Sequence, residues 1–444
     1  MTYPSAFTSL TDWLSWLETL SPREIDLGLE RVLAVLERLQ LGKAACVVHV
    51  AGTNGKGSSA ATLEALLLDA GYRVGCYTSP HLLRYNERIR VDGVPADDRE
   101  IIAAFEQVEA VREDVPLTYF EYGTLAALIV FERNGMDTLV LEIGMGGRLD
   151  AVNAIEPDAG IITNVALDHC DWLGSDVETI AREKAGIMRC GKPVIFGSHE
   201  VPAAIESIAA ELGADLRILG RDFTFAEDPM APGAWAWHGR EIALEGLTMP
   251  SLTGRFQLQN ASAVLALLES LGLTELLTRE GVSEALGGVA IPGRFQWFGT
   301  DRRWLFDVAH NPHAASGLAE SLAALRPRRA VTAIAGVLAD KDLQGIVAPL
   351  APYVDRWIAV NARSPRALEA RKLAQSIAHF SNKPCLIIGN LPEAMHYADN
   401  SSDDDALILV TGSFYTVGPA LEEIGAGLGL LDISCRQRAP RNRS

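Results

Sequence analysis

The stretch Ala44–Ala70, "AACVVHVAGTNGKGSSAATLEALLLDA", joins three patterns in one run. Its first part is a short continuous apolar run ended by Gly52, the pattern of a strand buried on both faces of a parallel sheet. Its last part places Leu63, Leu66 and Leu67 at helical spacing and predicts a helix from about Gly57 to Ala70. Between them lies a glycine loop that departs from the usual phosphate-loop pattern, in which glycine, lysine and a hydroxyl residue are consecutive after a four-residue gap. Here Gly57 stands between Lys56 and Ser58, and the gap before Gly55 is too short. The context is nonetheless that of a phosphate cradle. At a strand-to-helix junction, free N–H groups and the helix dipole converge on one spot that attracts anions. Gly52, Gly55 and Gly57 permit close approach, Lys56 can neutralise a transferring phosphoryl group, and Ser58 adds a hydroxyl. The competing reading is a tight turn that needs glycine for conformation alone.

Outward from this stretch the pattern repeats. "RVGCYTS", "DTLVLEIG", "AGIITNV" and "KPVIFG" are further strand-like runs with helical segments between some of them, which predicts an α/β domain with a mainly parallel sheet. Two helices precede it. Trp13, Leu14, Leu17 and Leu20 mark the first, and Val32, Val35, Leu36 and Leu39 the buried stripe of the second. Ser21-Pro22-Arg23-Glu24 fits a capping box for the second helix, with a start near Asp26 as the alternative. The section from about Ala214 to Leu252 reads as a small β-rich insertion. A second series, "RWLFDVAH", "RAVTAIAG", "RWIAVNA", "PCLIIG" and "DALILVTGS", predicts a second doubly wound, Rossmann-like domain. Its boundary is expected in "IPGRFQWFGTDRR", giving domains 1–296 and 297–430, with the basic stretch 431–444 as a disordered tail.

Bulk properties narrow the function. A chain of 444 residues exceeds one ordinary core. No apolar run reaches the roughly 18 residues that span a bilayer. The first residues carry Asp12 and Glu18 without a basic start, unlike a secretory signal, so the cytoplasm is the expected compartment. A formal charge of −18 argues against nucleic acid or an anionic membrane as partner and leaves small anionic substrates open. None of Cys46, Cys76, Cys170, Cys190, Cys385 and Cys435 forms a C-x-x-C pair, so reduced thiols are expected.

Four further places carry chemistry. Glu142 sits inside an apolar strand near its C-terminal end, where ligands collect in parallel sheets. A carboxylate buried there needs a partner, either a magnesium ion or a base such as Arg148. A dinucleotide loop is a weaker rival, because the glycines of "LEIGMGGRLDAVN" miss the G-x-G-x-x-G spacing. His169 follows the strand "GIITNV" and lies at the same sheet edge, but no second cysteine or histidine stands at zinc spacing, and a lone histidine there is commonly structural. Lys184 in "REKAGIMR" reads, from its neighbours, as a surface lysine. Asp307 ends a strand of the second series with His310 just past it, again at a ligand-binding edge, unless Asp307 is an ordinary helix cap.

Taken together, "HVAGTNGKGS", "YTSPHL", "LTYFEYGT", "LEIGMGGRLDA", "ALDHCDWLG", "REKAGI", "PGRFQ", "FDVAHNPHA" and "TGSF" occur in the order found in folylpolyglutamate synthases, which the chain resembles from about Leu20 to about Gly418. These are ATP-dependent, Mur-ligase-like amide ligases. "IDLGLERV" and "LTYFEYGT" look most like bacterial bifunctional enzymes that are also dihydrofolate synthases. The family loop has the same glycine between lysine and the hydroxyl residue. The resemblance implies a Mur-ligase-like fold and a set of site residues. Gly52, Thr53, Asn54, Gly55, Lys56, Gly57 and Ser58 would hold the ATP phosphates. Ser79, Glu142 and His169 would hold magnesium. Lys184 would be carbamylated by carbon dioxide, and its new carboxylate would bind a second magnesium. Thr118, Tyr119, Phe120 and Glu121, with Leu149, Asp150 and Ala151, would line the pterin site. Asn260, Arg294 and Asp307 would contact the nucleotide, with His310 near the phosphates.

The implied reaction joins the amine of L-glutamate to the carboxylate of dihydropteroate, or to the glutamate tail of a reduced folate, through an acyl phosphate. A monomer with small-molecule partners is expected. The rivals are a monofunctional folylpolyglutamate synthase, a cell-wall Mur enzyme, for which little chain precedes Gly52, and a P-loop NTPase that hydrolyses ATP without making an amide.

Overall fold

The computed structural model describes residues 7–21, 25–299, 301–325 and 328–427. Two compact units divide it. The first takes the chain to Pro250 together with Leu258–Val289, and the second takes Ser251–Gln257 and the chain from Ala290. The division falls ahead of the "IPGRF" stretch where the boundary was expected. The stretch 431–444 lies outside the described residues.

The first unit is built on eight strands: β1 (Cys46–Ala51), β2 (Val74–Tyr77), β3 (Ile89–Val91), β4 (Val94–Pro95), β5 (Thr138–Glu142), β6 (Ala159–Ile162), β7 (Pro193–Phe196) and β8 (Asp215–Ile218). Their order is β4-β3-β2-β5-β1-β6-β7-β8. β3 and β4 run antiparallel at one edge and the rest are parallel. The continuous apolar runs are explained by this placement. In β1, Val47 and Ala51 enter one core while Val48 and Val50 enter the other, so both faces are covered. β1 stands between β5 and β6, the chain leaving it toward β2 on one side while β6 to β8 lie on the other. The loops after β1, β5 and β6 therefore diverge at a switch point, where open α/β sheets bind ligands.

Helices clothe the faces: α1 (Leu10–Leu20), α2 (Glu30–Leu39), α3 (Lys56–Asp69), α4 (Asp98–Arg112), α5 (Tyr119–Arg133), α6 (Cys170–Leu173) and α7 (Val177–Ala185) lead the series. Leu63, Leu66 and Leu67 of α3 are buried, each worth about 1.5–3 kcal/mol of apolar transfer. α2 starts at Glu30, later than either start read from the sequence. Residues 22–24 of the expected capping box lie outside the described residues. The segment before α2 makes other bonds: the Gly28 N–H donates to the Leu149 carbonyl far along the chain, and the Asp26 carbonyl accepts the guanidinium of Arg31 in the first turn of α2.

The expected β-rich insertion separates into two parts. β8 joins the large sheet, while β9 (Thr224–Glu227), β10 (Ala234–His238) and β11 (Ala243–Thr248) form an antiparallel sheet of their own. Trp235 and Trp237 of β10 are fully buried, and their ring N–H groups donate to the Thr248 and Ser262 carbonyls.

The second unit holds β12 (Gln296–Phe298), β13 (Trp304–Asp307), β14 (Val331–Ala335), β15 (Arg356–Val360), β16 (Cys385–Gly389) and β17 (Leu407–Thr411), in the order β12-β13-β17-β14-β15-β16. All but β12 are parallel. Among the described residues five cysteines are free thiols, and no helix is long and apolar enough to cross a membrane.

Candidate functional site

The glycine loop leaves the end of β1 and opens α3. Gly55, with φ +84°, is the N-cap, and a Cβ there would meet the Asn260 carboxamide at 2.5 Å. Gly52, with φ +144°, lies against Thr163, whose Oγ1 would stand 1.8 Å from an added Cβ. These two glycines are required by conformation and by close neighbours. Gly57 differs: its Cβ would sit in open contact distance, 3.5 Å from Glu142 Oε2. What Gly57 keeps clear is the space between the helix N-terminus and a buried carboxylate.

The loop is tied to the stretch after β6. The Thr53 and Asn54 N–H groups donate to the Asn164 carbonyl and side-chain oxygen at 3.0 and 3.1 Å, and the Thr163 hydroxyl donates to the Asn54 carbonyl at 2.6 Å. The Lys56 ammonium donates to the carbonyls of Gly52 and Thr53 at 3.1 and 3.3 Å. The first amides of α3 have no acceptor within the helix, which leaves them for an anion.

Glu142 ends β5 and is 4% exposed. Its Oε2 accepts the Ser79 N–H at 3.2 Å, so the structure brings these two expected metal donors together. Arg148, the bland partner considered for Glu142, pairs instead with Glu183 at 2.8 Å. His169 caps α6 with φ 51°, a conformation uncommon outside glycine, and the Asp168 carboxylate accepts its N–H. It follows the same Asn164–Ala166 stretch that holds the loop. The described residues contain no group of three or more His, Cys, Asp or Glu side chains fit to hold a metal. The expected donor set explains this, because Ser79 is a hydroxyl and Lys184 is no ligand in its amine form. A carboxylate, a hydroxyl and an imidazole at one sheet edge suit a magnesium- or manganese-type cation.

Lys184 corrects its local reading as a surface lysine: it is 3% exposed. It lies on the inward face of α7, where Gly147 lets the backbones touch. A Cβ at Gly147 would stand 2.5 Å from the Glu183 carbonyl and 3.0 Å from Lys184 Cα. Burial, aided by the charge of Lys56, brings the Lys184 ammonium down to about 7, with Asp168 and Asp150 pulling the other way. A large share of it is therefore a neutral amine near pH 7, the form that adds carbon dioxide. Asp150 is pushed up to about 7 by burial, against the N–H bonds of Met145 and Val152 and the charge of Lys56.

Aromatic and charged groups gather on the segments around Asp150. Phe120 packs over Gly144 and 5.9 Å from the Tyr77 ring. Thr118 and Glu121 cap α5 reciprocally, and the Glu121 carboxylate also takes the Arg31 guanidinium at 2.9 Å. Leu149 and Ala151 flank Asp150, with Leu149 joined to Gly28. Sequence reasoning assigned no role to Asp26, Gly28 and Arg31, which the structure places here. "IDLGLERV" was the available signal. Arg88 was also missed. Its guanidinium lies 5.4 Å from the Tyr85 ring and 5.6 Å from that of Tyr119, and its Nε donates to His81 Nδ1 at 2.9 Å.

In the second unit, Asp307 is not a helix cap; Asn311 caps the following helix. The Asp307 carboxylate, raised by burial and opposed by Arg294, accepts the N–H groups of Phe295 and Ala309, both at 2.9 Å. Arg294 lies 5.1 Å over the Phe414 ring and the His310 ring 5.8 Å from it. Phe414 of "TGSF" thus gathers two of the three expected residues. His310 Nδ1–H donates to the Val308 carbonyl at 2.8 Å, leaving Nε2 as the ring's other polar atom.

Residues 50–210 match the Mur ligase middle domain, and residues 293–414 match the Mur ligase glutamate ligase domain. The dihydrofolate synthase/folylpolyglutamate synthase of Escherichia coli is 42% identical over 426 residues, covering 95% of this chain and 97% of that protein. The solved structure of E. coli FolC in complex with DHPP and ADP superposes with a TM-score of 0.90 at 41% identity, over 96% of this chain and all of that one. A bifunctional folylpolyglutamate synthase/dihydrofolate synthase from Yersinia pestis, complexed with AMPPNP and Mn ion, gives a TM-score of 0.88 at 42% identity, over 97% of this chain and all of that one.

Proposed function

The chain belongs to the dihydrofolate synthase/folylpolyglutamate synthase family of Mur ligases, and we infer from this that it uses ATP to join L-glutamate to dihydropteroate and to folate glutamate tails. The observation that carries the reading to this chain's own residues is the phosphate loop facing a buried carboxylate. Lys56 and the first amides of α3 stand on one side, Glu142 with Ser79 on the other, and Gly57 keeps the space between them.

A carboxylate is a poor acyl donor, because negative charge shields its carbon. Transfer of the terminal phosphoryl group of ATP gives an acyl phosphate and ADP. The glutamate amine then attacks the acyl carbon, the C–N bond forms as the acyl C–O bond breaks, phosphate leaves with that electron pair, and the nitrogen gives up a proton. Two anions must meet in the first step. Lys56 and the loop amides offset that repulsion and hold the phosphoryl group in line. Ser79, Glu142 and His169 would hold a divalent cation, which supplies further charge neutralisation on the phosphates. A carbamylated Lys184 would give a second such ion its carboxylate. Thr118, Tyr119, Phe120 and Glu121, with Leu149, Asp150 and Ala151, are proposed to line the pterin site, to which Asp26 and Gly28 are added. An Asp150 carboxyl that exchanges its proton near neutrality can both donate to and accept from a pterin ring edge. Asn260 packs on the loop, and Asn260, Arg294, Asp307 and His310 are proposed as nucleotide-binding residues. The first unit is thus the proposed ATP and pterin domain.

The deciding measurement is ADP release with L-glutamate and either dihydropteroate or tetrahydrofolate. Turnover with both, each giving an amide, is the expected result. Turnover with tetrahydrofolate alone would reduce the reading to a monofunctional enzyme, and ATP hydrolysis without amide in either case would overturn it.

The Lys184 amine sets a pH dependence. Carbon dioxide adds only to the neutral form. With the ammonium at about 7, roughly a tenth is neutral at pH 6 and about nine-tenths at pH 8. Enzyme stripped of carbon dioxide should regain activity several-fold faster at pH 8 than at pH 6, at one fixed concentration of dissolved carbon dioxide. Equal rates, or no need for carbon dioxide, would remove the carbamate.

A further inference from the structure

Ser79 opens a loop, residues 79–88, that runs from β2 to β3 and is closed by one partly buried arginine. Arg90 of β3 has five guanidinium N–H donors. Nε and Nη2 grip the Glu64 carboxylate of α3 at 2.9 and 2.8 Å, and Glu64 is fully buried. Nη1 donates to the Thr78 hydroxyl at 3.1 Å and to the Glu87 carbonyl at 3.2 Å, and Nη2 to Cys76 Sγ at 3.0 Å. One rigid fork therefore touches the residue before Ser79, the far end of its loop, and the helix that begins at the phosphate loop. Inside the loop, the Glu87 carboxylate accepts the N–H groups of Leu82, Leu83 and Arg84 at 2.8, 2.9 and 2.7 Å. Ser79 itself donates its N–H to Glu142.

We propose that Arg90, Glu64 and Glu87 are positioning residues for the divalent cation: they fix Ser79 against Glu142 and register that pair to the phosphate-loop helix. This rests on the reading that Ser79 and Glu142 hold the cation. A buried ion pair is a poor source of stability, since apolar residues of similar volume often replace one at no cost. Its forked geometry, with Nε and Nη2 both on Glu64 Oε2, does serve placement, and a misplacement of an ångström in a metal or phosphate site is costly. Groups that orient metal ligands are worth about 10- to 100-fold in metal affinity.

The test is Mn2+ binding, followed by electron paramagnetic resonance in the presence of AMPPNP, for wild type, Arg90→Lys, Glu87→Gln and Ser79→Ala. Lysine keeps the charge beside Glu64 but cannot reach Thr78 and Glu87 together. Arg90→Lys should bind Mn2+ about tenfold or more weakly, and its kcat should recover as the metal concentration is raised, with KM for dihydropteroate unchanged. Amide exchange at Leu82, Leu83 and Arg84 should quicken in Glu87→Gln, which leaves the Arg90–Glu64 pair intact and serves if Arg90→Lys does not fold. Wild-type Mn2+ affinity in either variant, with Ser79→Ala weakened, overturns the proposal and leaves the cation site standing. Wild-type affinity in Ser79→Ala would instead remove the cation site, and the proposal with it.

Discussion

Lys56→Ala should lose acyl phosphate formation by about 10²- to 10³-fold or more in kcat while keeping the fold. The ammonium bonds the loop's own backbone. It donates to the carbonyls of Gly52 and Thr53, at 3.1 and 3.3 Å, on the partly exposed rim of the loop. Each such bond is worth about 0.5–1.5 kcal/mol net, so its loss is a small part of the stability of the first unit. In the proposed phosphoryl transfer step the same ammonium would face charge that moves from the terminal phosphate bridge to ADP. No neighbouring side chain in the loop replaces it, since Thr53, Asn54 and Ser58 are neutral. The check is a rapid-quench measurement of ADP formed with dihydropteroate, alongside circular dichroism and a thermal melt. Turnover near wild type would show that the loop is a turn and no phosphate site.

How much of this was legible in the chain differs residue by residue. The strand, loop and helix of Ala44–Ala70 were readable because each obeys a local rule: an apolar run, glycines at a junction, leucines at helical spacing. Glu142 was readable because a carboxylate inside an apolar strand is a local contradiction that needs a partner. The burial of Lys184 was not legible locally, because it depends on a distant segment whose Gly147 lets the backbone come against Lys184, and "REKAGIMR" gives no sign of it. The start of α2 was misplaced for the same reason. The local pattern at Ser21 gave no sign that Gly28 is tied to Leu149 far along the chain and that the helix starts only at Glu30. Arg90 and Arg31 look like ordinary strand and helix cations until the fold brings Glu64 and Glu121 to them. The purpose of Gly57 also needed coordinates. Sequence alone marked the residue as unusual, whereas the coordinates place it next to Glu142 with room for an ordinary Cβ contact, unlike Gly52 and Gly55, which are bound by backbone conformation and close neighbours.

Lys184→Ala should lose nearly all ligase activity and regain part of it when acetate or formate is supplied. Alanine leaves a cavity where the side chain lay, beside Asp150, Asp168 and Lys56, the charges that act on the Lys184 amine. A small carboxylate can enter that space and stand in for the carbamate oxygens, whereas an added amine cannot. The stability of the variant separates this role from simple packing. In the native protein the Lys184 pKa lies at about 7, below the ordinary 10.5 of the unfolded chain. The unfolded state therefore binds the extra proton between those two values, and the stability of carbon-dioxide-free wild type rises with pH across that window. Below about pH 7 both states are protonated and the penalty is constant. Alanine has no proton to bind, so the melting temperature of wild type should climb relative to Lys184→Ala as pH rises from about 7 toward 10.5. Carbon dioxide added to wild type at pH 8 should raise its melting temperature further, because the amine it adds to is mostly neutral in the folded protein and mostly protonated in the unfolded chain, so the folded state binds it preferentially. Full activity of the variant without added carboxylate would rule out the carbamate, and a melting difference independent of pH would show that Lys184 is charged in the folded state.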